Sequence, residues 1–321
     1  GTGAASSTCG PALADVFTAR VLLVVLAVLA AIFAWRWLRA ERGVSRSTPA
    51  KPGVLHTAIG FVTNFFDTLG IGSFAPTTAA FKLRRVVADE TIPGTLNVGH
   101  TLPTVVQGLI FIGVVRVGPA TLVSMMAAAA VGAWLGAGVV ARLPRRAIQL
   151  GMGVALTVAA VLFALMNLDQ LPSGGVALEL TGAKLAAAIG INFLLGALMT
   201  LGIGLYAPCL ILVSLLGMNP IAAFPIMMGS CAVLMPVAAL RFISERKYDL
   251  RAALGLTLGG IPAVLLAAYV VRSLPLTWLR WLVVIIVLYA AVLMLLSARA
   301  KSAAADITPA APGGAADSSH R

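Results

Sequence analysis

The chain has 321 residues, of which 60% are hydrophobic and 11% are charged, and its net charge is +12. Soluble domains carry about 25% charged residues, so this composition excludes an ordinary soluble domain and indicates a membrane protein with several spans. The positive charge does not indicate a nucleic-acid partner, because no nucleic-acid-binding motif is present and Lys and Arg near membrane spans collect on the cytoplasmic side.

The first apolar run, residues 21–34, is followed by Arg36, Arg39 and Arg42. A cleavable signal peptide carries its basic residues before the apolar run. The reversed order predicts a retained leading helix over residues 17–40, with residues 1–16 on the external side. Because this helix lies outside the repeats described below, it is a candidate for packing or for assembly of a homo-oligomer.

The remaining spans follow from the length of the apolar segments, since a bilayer-spanning helix needs about 20 apolar residues. Two segments, 53–84 and 183–217, are too long for one crossing. Each contains a glycine-proline phrase, TLGIGSFAP at 68–76 and TLGIGLYAP at 200–208. Single crossings are predicted at 91–117, 118–141, 145–168, 219–242, 250–272 and 276–298. Residues 299–321, rich in Ala, Pro, Gly and Ser, are predicted to form a disordered cytoplasmic tail.

The basic residues favour a reversal of the chain at the first phrase. The loops on both sides of 53–84 are basic and would lie on opposite sides of the membrane if that segment crossed once, against the positive-inside rule. If the segment turns at Gly70-Ile71-Gly72 and returns, every basic cluster lies in the cytoplasm. This topology places the N-terminus in the periplasm and the C-terminus in the cytoplasm.

The two phrases belong to a longer internal repeat. Seven of their nine positions are identical at a separation of 132 residues, and Pro93 and Pro225 are separated equally. We therefore predict an all-α polytopic membrane protein with a leading helix and two repeats, 53–168 and 183–298. Each repeat is predicted to be a re-entrant helical hairpin followed by three transmembrane helices. With an odd number of crossings per repeat, the second repeat is inverted, which is typical of secondary transporters.

Each phrase is predicted to end one helix, turn at its glycines and begin a new helix near its proline. A helix N-terminus presents unpaired N–H groups and attracts anions. The repeat thus predicts a small-anion site between the two tips, and the alternative is a helix break needed only for packing. The candidate substrate-binding residues are Asn64, Gly70, Gly72, Ser73, Thr77, Thr78, Asn97, Thr101, Thr104, Gly202, Gly204, Tyr206 and Cys209.

Asp67 and His100 are the ionisable residues predicted to lie well inside the hydrocarbon. A charge there costs at least about 2.5–3.5 kcal/mol, and such residues usually mark functional sites. A proton-coupling pair is one hypothesis. The alternatives are an Asp that caps the broken helix and a His that is hydrogen bonded inside the bundle. His100, Thr104 and Gln107 share one helical face.

The phrase TNFFDTLGIGSFAP at 63–76, its partner at 200–208 and the duplicated apolar halves resemble the sulfite exporter TauE/SafE family of membrane permeases. The resemblance covers about residues 54–298 and includes Gly70, Gly72 and Pro76, with Gly202, Gly204 and Pro208. It implies transport of sulfite, sulfonates or related organosulfur or carboxylate anions across the bacterial inner membrane. Ser73 and Leu205 stand where many members continue a glycine run, so the resemblance does not imply sulfite itself.

The leading hypothesis is therefore a secondary transporter of a small anion that works by alternating access between the repeats. A passive anion channel is the alternative. An enzyme is not expected, because the sequence contains no metal-ligand pair such as HExxH, no catalytic Cys–His arrangement of a known type and no nucleotide-binding loop. Cys9, Cys209 and Cys231 lack the spacing of a disulfide framework or zinc site. No cofactor and no metal are expected.

Overall fold

The computed structural model describes residues 9–42, 51–140, 145–168, 170, 175–199, 205–273 and 275–306. In these residues the chain is helical, and the ordered elements include one 3₁₀ turn at Pro220–Ala222. The α-helices are α1 (Cys9–Arg42), α2 (Val54–Thr68), α3 (Phe74–Arg84), α4 (Ile92–Val114), α5 (Pro119–Val140), α6 (Arg145–Asn167), α7 (Gly182–Met199), α8 (Tyr206–Leu215), α9 (Ala223–Ser244), α10 (Leu250–Ser273) and α11 (Leu276–Asp306).

The distribution of apolar side chains is that of a multi-pass membrane protein. Five helices of the described part are long and apolar enough to cross a bilayer, namely Phe17–Arg42, Ile92–Val114, Gly182–Met199, Pro220–Ser244 and Leu250–Val271. Large apolar side chains point outwards on most helices, such as Val24 on α1 and Val158 on α6, while polar groups such as Asn64 and Gln107 are fully buried. A surface of this kind is stable against lipid rather than water.

The first phrase forms the turn between α2 and α3. Gly70 and Gly72 have φ angles of 101° and 88°, a region that glycine adopts without strain. The N–H of Gly70 bonds to the Asp67 carbonyl and the N–H of Ile71 bonds to the Phe66 carbonyl, which closes α2. Pro76 follows in the first turn of α3, where no N–H is required.

The two helices of this hairpin run back alongside each other. Phe81, near the end of α3, contacts the ring of His56, near the start of α2, with ring centroids 6.4 Å apart. The second hairpin returns in the same way, because Lys184 Nζ at the start of α7 donates to the carbonyl of Leu216, just after α8, at 3.1 Å. Residues 200–204, which contain Gly202 and Gly204, lie outside the described residues.

The order of elements is the same in 54–167 and 182–306. The most extensive helix pairs join one repeat to the other, and equivalent helices have equivalent partners. α2 packs against α10, and α7 packs against α5, each through close glycine contacts. α4 packs against α9 in the opposite direction, since Phe111 near the end of α4 stacks on Phe224 at the start of α9 with centroids 5.2 Å apart. At the other end of this pair, Gly94 lies against Phe242.

The leading helix α1 lies against α4, α9 and α5, and it buries Leu26, Phe33 and Trp37 while its other face is exposed and apolar. Its last turn is fixed by Arg246 Nη2, which donates to the Ala40 carbonyl at 3.1 Å, and by a Tyr248–Glu41 hydrogen bond. α1 begins at Cys9 and α11 extends to Asp306, so residues 9–16 and 299–306 are helical.

One end of the bundle gathers basic residues, and we call it the basic end. The start of α4 meets the α9–α10 loop there, since the Asp249 N–H donates to Thr95 Oγ1 at 2.9 Å. The end of α1, the start of α2 and the end of α3 lie at the same end. Its basic residues are Arg39, Arg42, Lys82, Arg84, Arg85, Arg241, Arg246, Lys247 and Arg251. At the opposite end, Gly118 N–H bonds to the Leu178 carbonyl.

Candidate functional site

Gln107 joins the tips of the two hairpins. Its side chain on α4 is fully buried, and its Nε2 donates to Asp67 Oδ2 at 2.8 Å and to Thr68 Oγ1 at 2.9 Å, both in the last turn of α2. Its Oε1 accepts from the hydroxyl of Tyr206, the first residue of α8, at 3.0 Å. Both N–H groups and the oxygen of this amide are thus hydrogen bonded between the two hairpins.

The carboxyl group of Asp67 faces the start of α3. Besides Gln107, the hydroxyl and the backbone N–H of Ser73 approach it. Asp67 is 3% exposed and Ser73 is 4% exposed, so these contacts are shielded from solvent. The carboxyl therefore occupies the N-terminal end of α3, where a helix favours negative charge. Its donors are neutral groups, and no Lys or Arg pairs with it within the described part of the chain.

His100 lies on the same face of α4 as Gln107, two turns earlier, and its ring contacts both helices of the first hairpin. Its Nδ1 is 3.0 Å from Asn64 Oδ1 on α2, and its Nε2 is 3.1 Å from Thr77 Oγ1 on α3. The ring also stacks obliquely on Phe74, with centroids 5.9 Å apart. His100, Asn64 and Thr77 are all fully buried.

These contacts fix the proton arrangement around His100. Asn64 Nδ2 donates to the Gly60 carbonyl at 2.7 Å, so Asn64 Oδ1 must accept the proton of His100 Nδ1. In the neutral ring, Nε2 then accepts from the Thr77 hydroxyl. In the charged ring, Nε2 donates to Thr77, whose hydroxyl turns to the Ser73 carbonyl 2.7 Å away. The imidazole can thus take up a proton without displacement of any heavy atom.

The second hairpin, α7 and α8, and the adjoining α9 supply sulfur atoms to the junction where the first half supplies amide groups. Cys231 Sγ on α9 lies 3.7 Å from Met199 Sδ at the end of α7, and Cys231 also approaches the Tyr206 hydroxyl. Cys209 in α8 is fully buried, and Met227 lies close to Gly70. The first hairpin and α4 therefore supply hydrogen-bonding groups at this junction, and the second hairpin and α9 supply mainly soft apolar groups.

The structure brings together Asn64, Ser73, Thr77 and Tyr206 among the predicted binding residues, with Gly70 and Gly72 forming the turn beside them. Where a Cβ would stand on Gly72, no atom of the described residues lies within 4 Å. Thr104 is buried between His100 and Gln107 on the same helix, and Cys209 is buried near the second tip.

Three predicted residues do not join this set of contacts. Asn97 Nδ2 donates to the Pro93 carbonyl at 2.9 Å, and Thr101 Oγ1 donates to the Asn97 carbonyl, so both are bonded within α4. Thr78 is half-buried on α3, and none of the hydrogen bonds described above reaches it. A shared helical face with the site was therefore insufficient, because short polar side chains on a helix bond readily to the carbonyl four residues before.

Gln107 was absent from the predicted binding residues, although the sequence placed it on the face of His100 and Thr104. Its position two turns from His100 was the available signal. Asp67 and His100 are both buried, as predicted, but no hydrogen bond joins the two side chains. Asp67 lies at the break between α2 and α3, and His100 is hydrogen bonded inside the bundle to Asn64 and Thr77.

The arrangement can hold a small anion and can bind or release protons at Asp67 and His100. Hydroxyl, amide and backbone N–H groups suit an oxyanion that must be released again, because each neutral bond is individually weak. Within the described residues, no three His, Cys, Asp or Glu side chains are grouped in a way that could hold a metal ion.

Comparison with known proteins supports the family resemblance that the hairpin phrases indicated. No curated protein and no solved structure matches the chain. A protein-family model described as Sulfite exporter TauE/SafE matches residues 184–318, a stretch that contains nearly all of α7 and the whole of α8 to α11. The resemblance to the TauE/SafE sulfite exporters that the paired hairpin phrases indicated is thereby confirmed over the second half of this membrane protein.

Proposed function

We propose that the protein is a secondary transporter that moves a small anion, sulfite or a related sulfonate or organosulfur anion, across the bacterial inner membrane. The observation that carries the proposal is the Gln107 amide, which bonds to Asp67 and Thr68 at one hairpin tip and to Tyr206 at the other. A buried polar junction between two broken helices is where transporters of this architecture bind their substrates. The family match supports the choice of a sulfur-containing anion.

In this proposal the two hairpins move against each other around the site, each together with the helix of the other repeat on which it packs. Rupture of the Tyr206–Gln107 bond separates the tips on one side, while the glycine-lined contacts of α2 with α10 and of α7 with α5 keep each hairpin on its neighbour. The opposite directions of α4 and α9 support the inverted relation of the repeats. Alternating access then exposes the same donors to each side of the membrane in turn.

Proton coupling is part of the proposal because the site holds two buried side chains, Asp67 and His100, that can each bind and release a proton. His100 has a hydrogen-bond partner for both of its protonation states, and Asp67 is held by neutral donors. A proton gradient can therefore change the affinity of the site between the two sides.

Flux into proteoliposomes tests this function. We expect saturable uptake of radiolabelled sulfite, thiosulfate, a sulfonate or a small carboxylate that responds to an imposed pH gradient. Unlabelled substrate inside the vesicles should accelerate uptake, because a carrier returns faster when loaded. A passive anion channel, the alternative, would give conductance without saturation or such acceleration. Absence of flux for the whole panel would remove the anion-transport proposal.

Thr77→Val is expected to weaken substrate binding about five- to tenfold, because it removes the hydroxyl that contacts His100 and borders the site, at roughly 1 kcal/mol per hydrogen bond. Thr63→Val is the matched control. The Thr63 hydroxyl donates only to the Ile59 carbonyl of its own helix, at 2.8 Å. Half-maximal uptake concentrations measured for both variants check this result, and equal values would place Thr77 outside the binding surface.

The proposed orientation puts the basic end in the cytoplasm, with the C-terminus on that side and the N-terminus in the periplasm. Lys82 on α3 and Lys184 on α7 are exposed at opposite ends. In a Cys9→Ser background, Lys82→Cys should react with a membrane-impermeant maleimide only in inside-out vesicles, and Lys184→Cys only in intact spheroplasts. Labelling of both from one side would contradict the proposed topology. Cys209 and Cys231 are buried, so little background labelling is expected.

A further inference from the structure

We propose that the carboxylate of Asp67 competes with the substrate for the same hydrogen-bond donors, so that each bound anion requires uptake of one proton by this carboxyl group. The inference rests on the proposed anion-transport function and assigns the proton to one residue. Its basis is the donor set around Asp67: the Gln107 amide, 2.8 Å away, and the hydroxyl and backbone N–H of Ser73.

These donors are the kind that recognise an oxyanion. A hydroxyl, an amide and a helix-terminal N–H bind sulfonate, sulfite and carboxylate oxygens alike. In the structure these donors lie around the carboxyl group of Asp67. No described atom lies within 4 Å of the position that a Cβ on Gly72 would take, and an anion that enters beside this glycine meets the donors of the neighbouring Ser73.

No positive charge in the described site offsets a second anion. The titratable groups that interact with Asp67 are Tyr206 on α8 and Cys231 on α9, both acids. His100 lies two turns before Gln107 on α4 and is bonded to Asn64 and Thr77. On the surrounding helices, His56, Lys82, Arg84, Arg241, Asp249 and Arg251 lie towards the basic end, and Tyr269 and Tyr289 lie on α10 and α11. A substrate about 4 Å from an ionised Asp67 would bind about a thousandfold more weakly at an effective dielectric constant of about 20.

The consequence is a strict alternation between two satisfied states. The empty site holds an ionised Asp67 on its own donors, and the loaded site holds the substrate with a neutral carboxyl group. For a monovalent substrate, the site carries one negative charge in both states. The carrier can therefore cross in either state at similar electrostatic cost, while a site with both anions or with neither is disfavoured.

The test measures binding to the full purified chain by calorimetry, with methanesulfonate, isethionate and thiosulfate as probes. These anions stay ionised from about pH 5.5 to about pH 8, unlike sulfite, so any pH dependence belongs to the protein. Buffers of different ionisation enthalpy count the protons taken up. For the wild type we expect one proton per anion and an affinity that falls about tenfold per pH unit once Asp67 is ionised.

Asp67→Asn should bind without proton uptake, with an affinity independent of pH and at least about tenfold above that of the wild type at about pH 8. Asp67→Ala should behave in the same way if the asparagine variant does not fold. Glu245→Gln is the matched control, because this exposed carboxyl pairs with Arg241 and Lys247 outside the site, and it should resemble the wild type.

Proton uptake that persists in Asp67→Asn and disappears in His100→Gln would assign the proton to the imidazole and overturn the inference, while the transport function would stand. The same holds if wild-type affinity does not change with pH. If the wild type binds none of the probes and transports none of the panel, the proposed function falls, and this inference falls with it.

Discussion

Gln107→Leu is expected to reduce transport at least about tenfold and to lower the stability of the protein. The substitution leaves Asp67, Thr68 and Tyr206 without the amide that joins them in the buried site. An unmade hydrogen bond of a buried group costs about 1–3 kcal/mol, so we expect a loss of about 2–4 kcal/mol in the free energy of unfolding. Transport should fall at least about tenfold, because about 1.4 kcal/mol at the site suffices for that factor.

Asn97→Leu is the matched control for this experiment. It removes an amide from the same helix, but that amide bonds only to the Pro93 carbonyl of α4. Uptake and thermal unfolding in detergent should stay within about twofold and about 1 kcal/mol of the wild type. Equal loss in both variants, or full activity in Gln107→Leu, would show that the junction between the tips has no role in transport.

Gly259→Val is expected to prevent correct assembly of the first hairpin on α10. A Cβ on Gly259 would lie 2.8 Å from the Phe61 backbone nitrogen and still closer to the Thr57 carbonyl oxygen. Backbone atoms cannot turn aside as a flexible side chain can, so α2 must move away from α10. We expect a cost of about 3 kcal/mol or more, at or above the usual range for overpacking. Size-exclusion chromatography should show aggregated protein or little folded protein.

Gly190→Val separates this steric effect from the change in helix propensity between glycine and valine. Gly190 lies in α7, and no described atom lies within 4 Å of the position a Cβ would take. Both substitutions carry the propensity change, but only Gly259→Val forces two backbones apart. Gly190→Val should give a monodisperse protein, and a similar result for Gly259→Val would mean that α2 and α10 are not in the close contact described.

The sequence predicted the main architecture because its signals were of the kind that hydrophobic length and local backbone chemistry determine. The two over-long apolar segments, each with a glycine-proline phrase, indicated hairpins, and the positive φ angles of Gly70 and Gly72 show the turn at the predicted place. The basic clusters also indicated which helix ends share one side, and the contacts around Asp249 and Arg246 gather them at one end.

The contacts of the site could be predicted only in part. That Asp67 and His100 are buried followed from the hydropathy around them, but their partners depend on how three helices cross. Sequence spacing could not show that Asn97 and Thr101 bond within α4 while Gln107 spans both hairpins. Residues that bond to a distant element have no local signature, since the partner is chosen by packing rather than by sequence distance.

The two halves of the chain differ in the chemistry that they bring to the centre. At a separation of 132 residues, Asn64, Asp67, His100 and Gln107 correspond to Gly196, Met199, Ala232 and Ala239. In an idealised carrier with two identical halves, the inward-open and outward-open forms would be related by a two-fold axis in the membrane plane and would have equal energy. In the proposed transporter most of the polar groups whose bonds change between the two forms belong to the first half, and each bond contributes about 0.5–1.5 kcal/mol. The unloaded protein should therefore rest facing one side of the membrane, with the other form a minor population of about 0.1–10%.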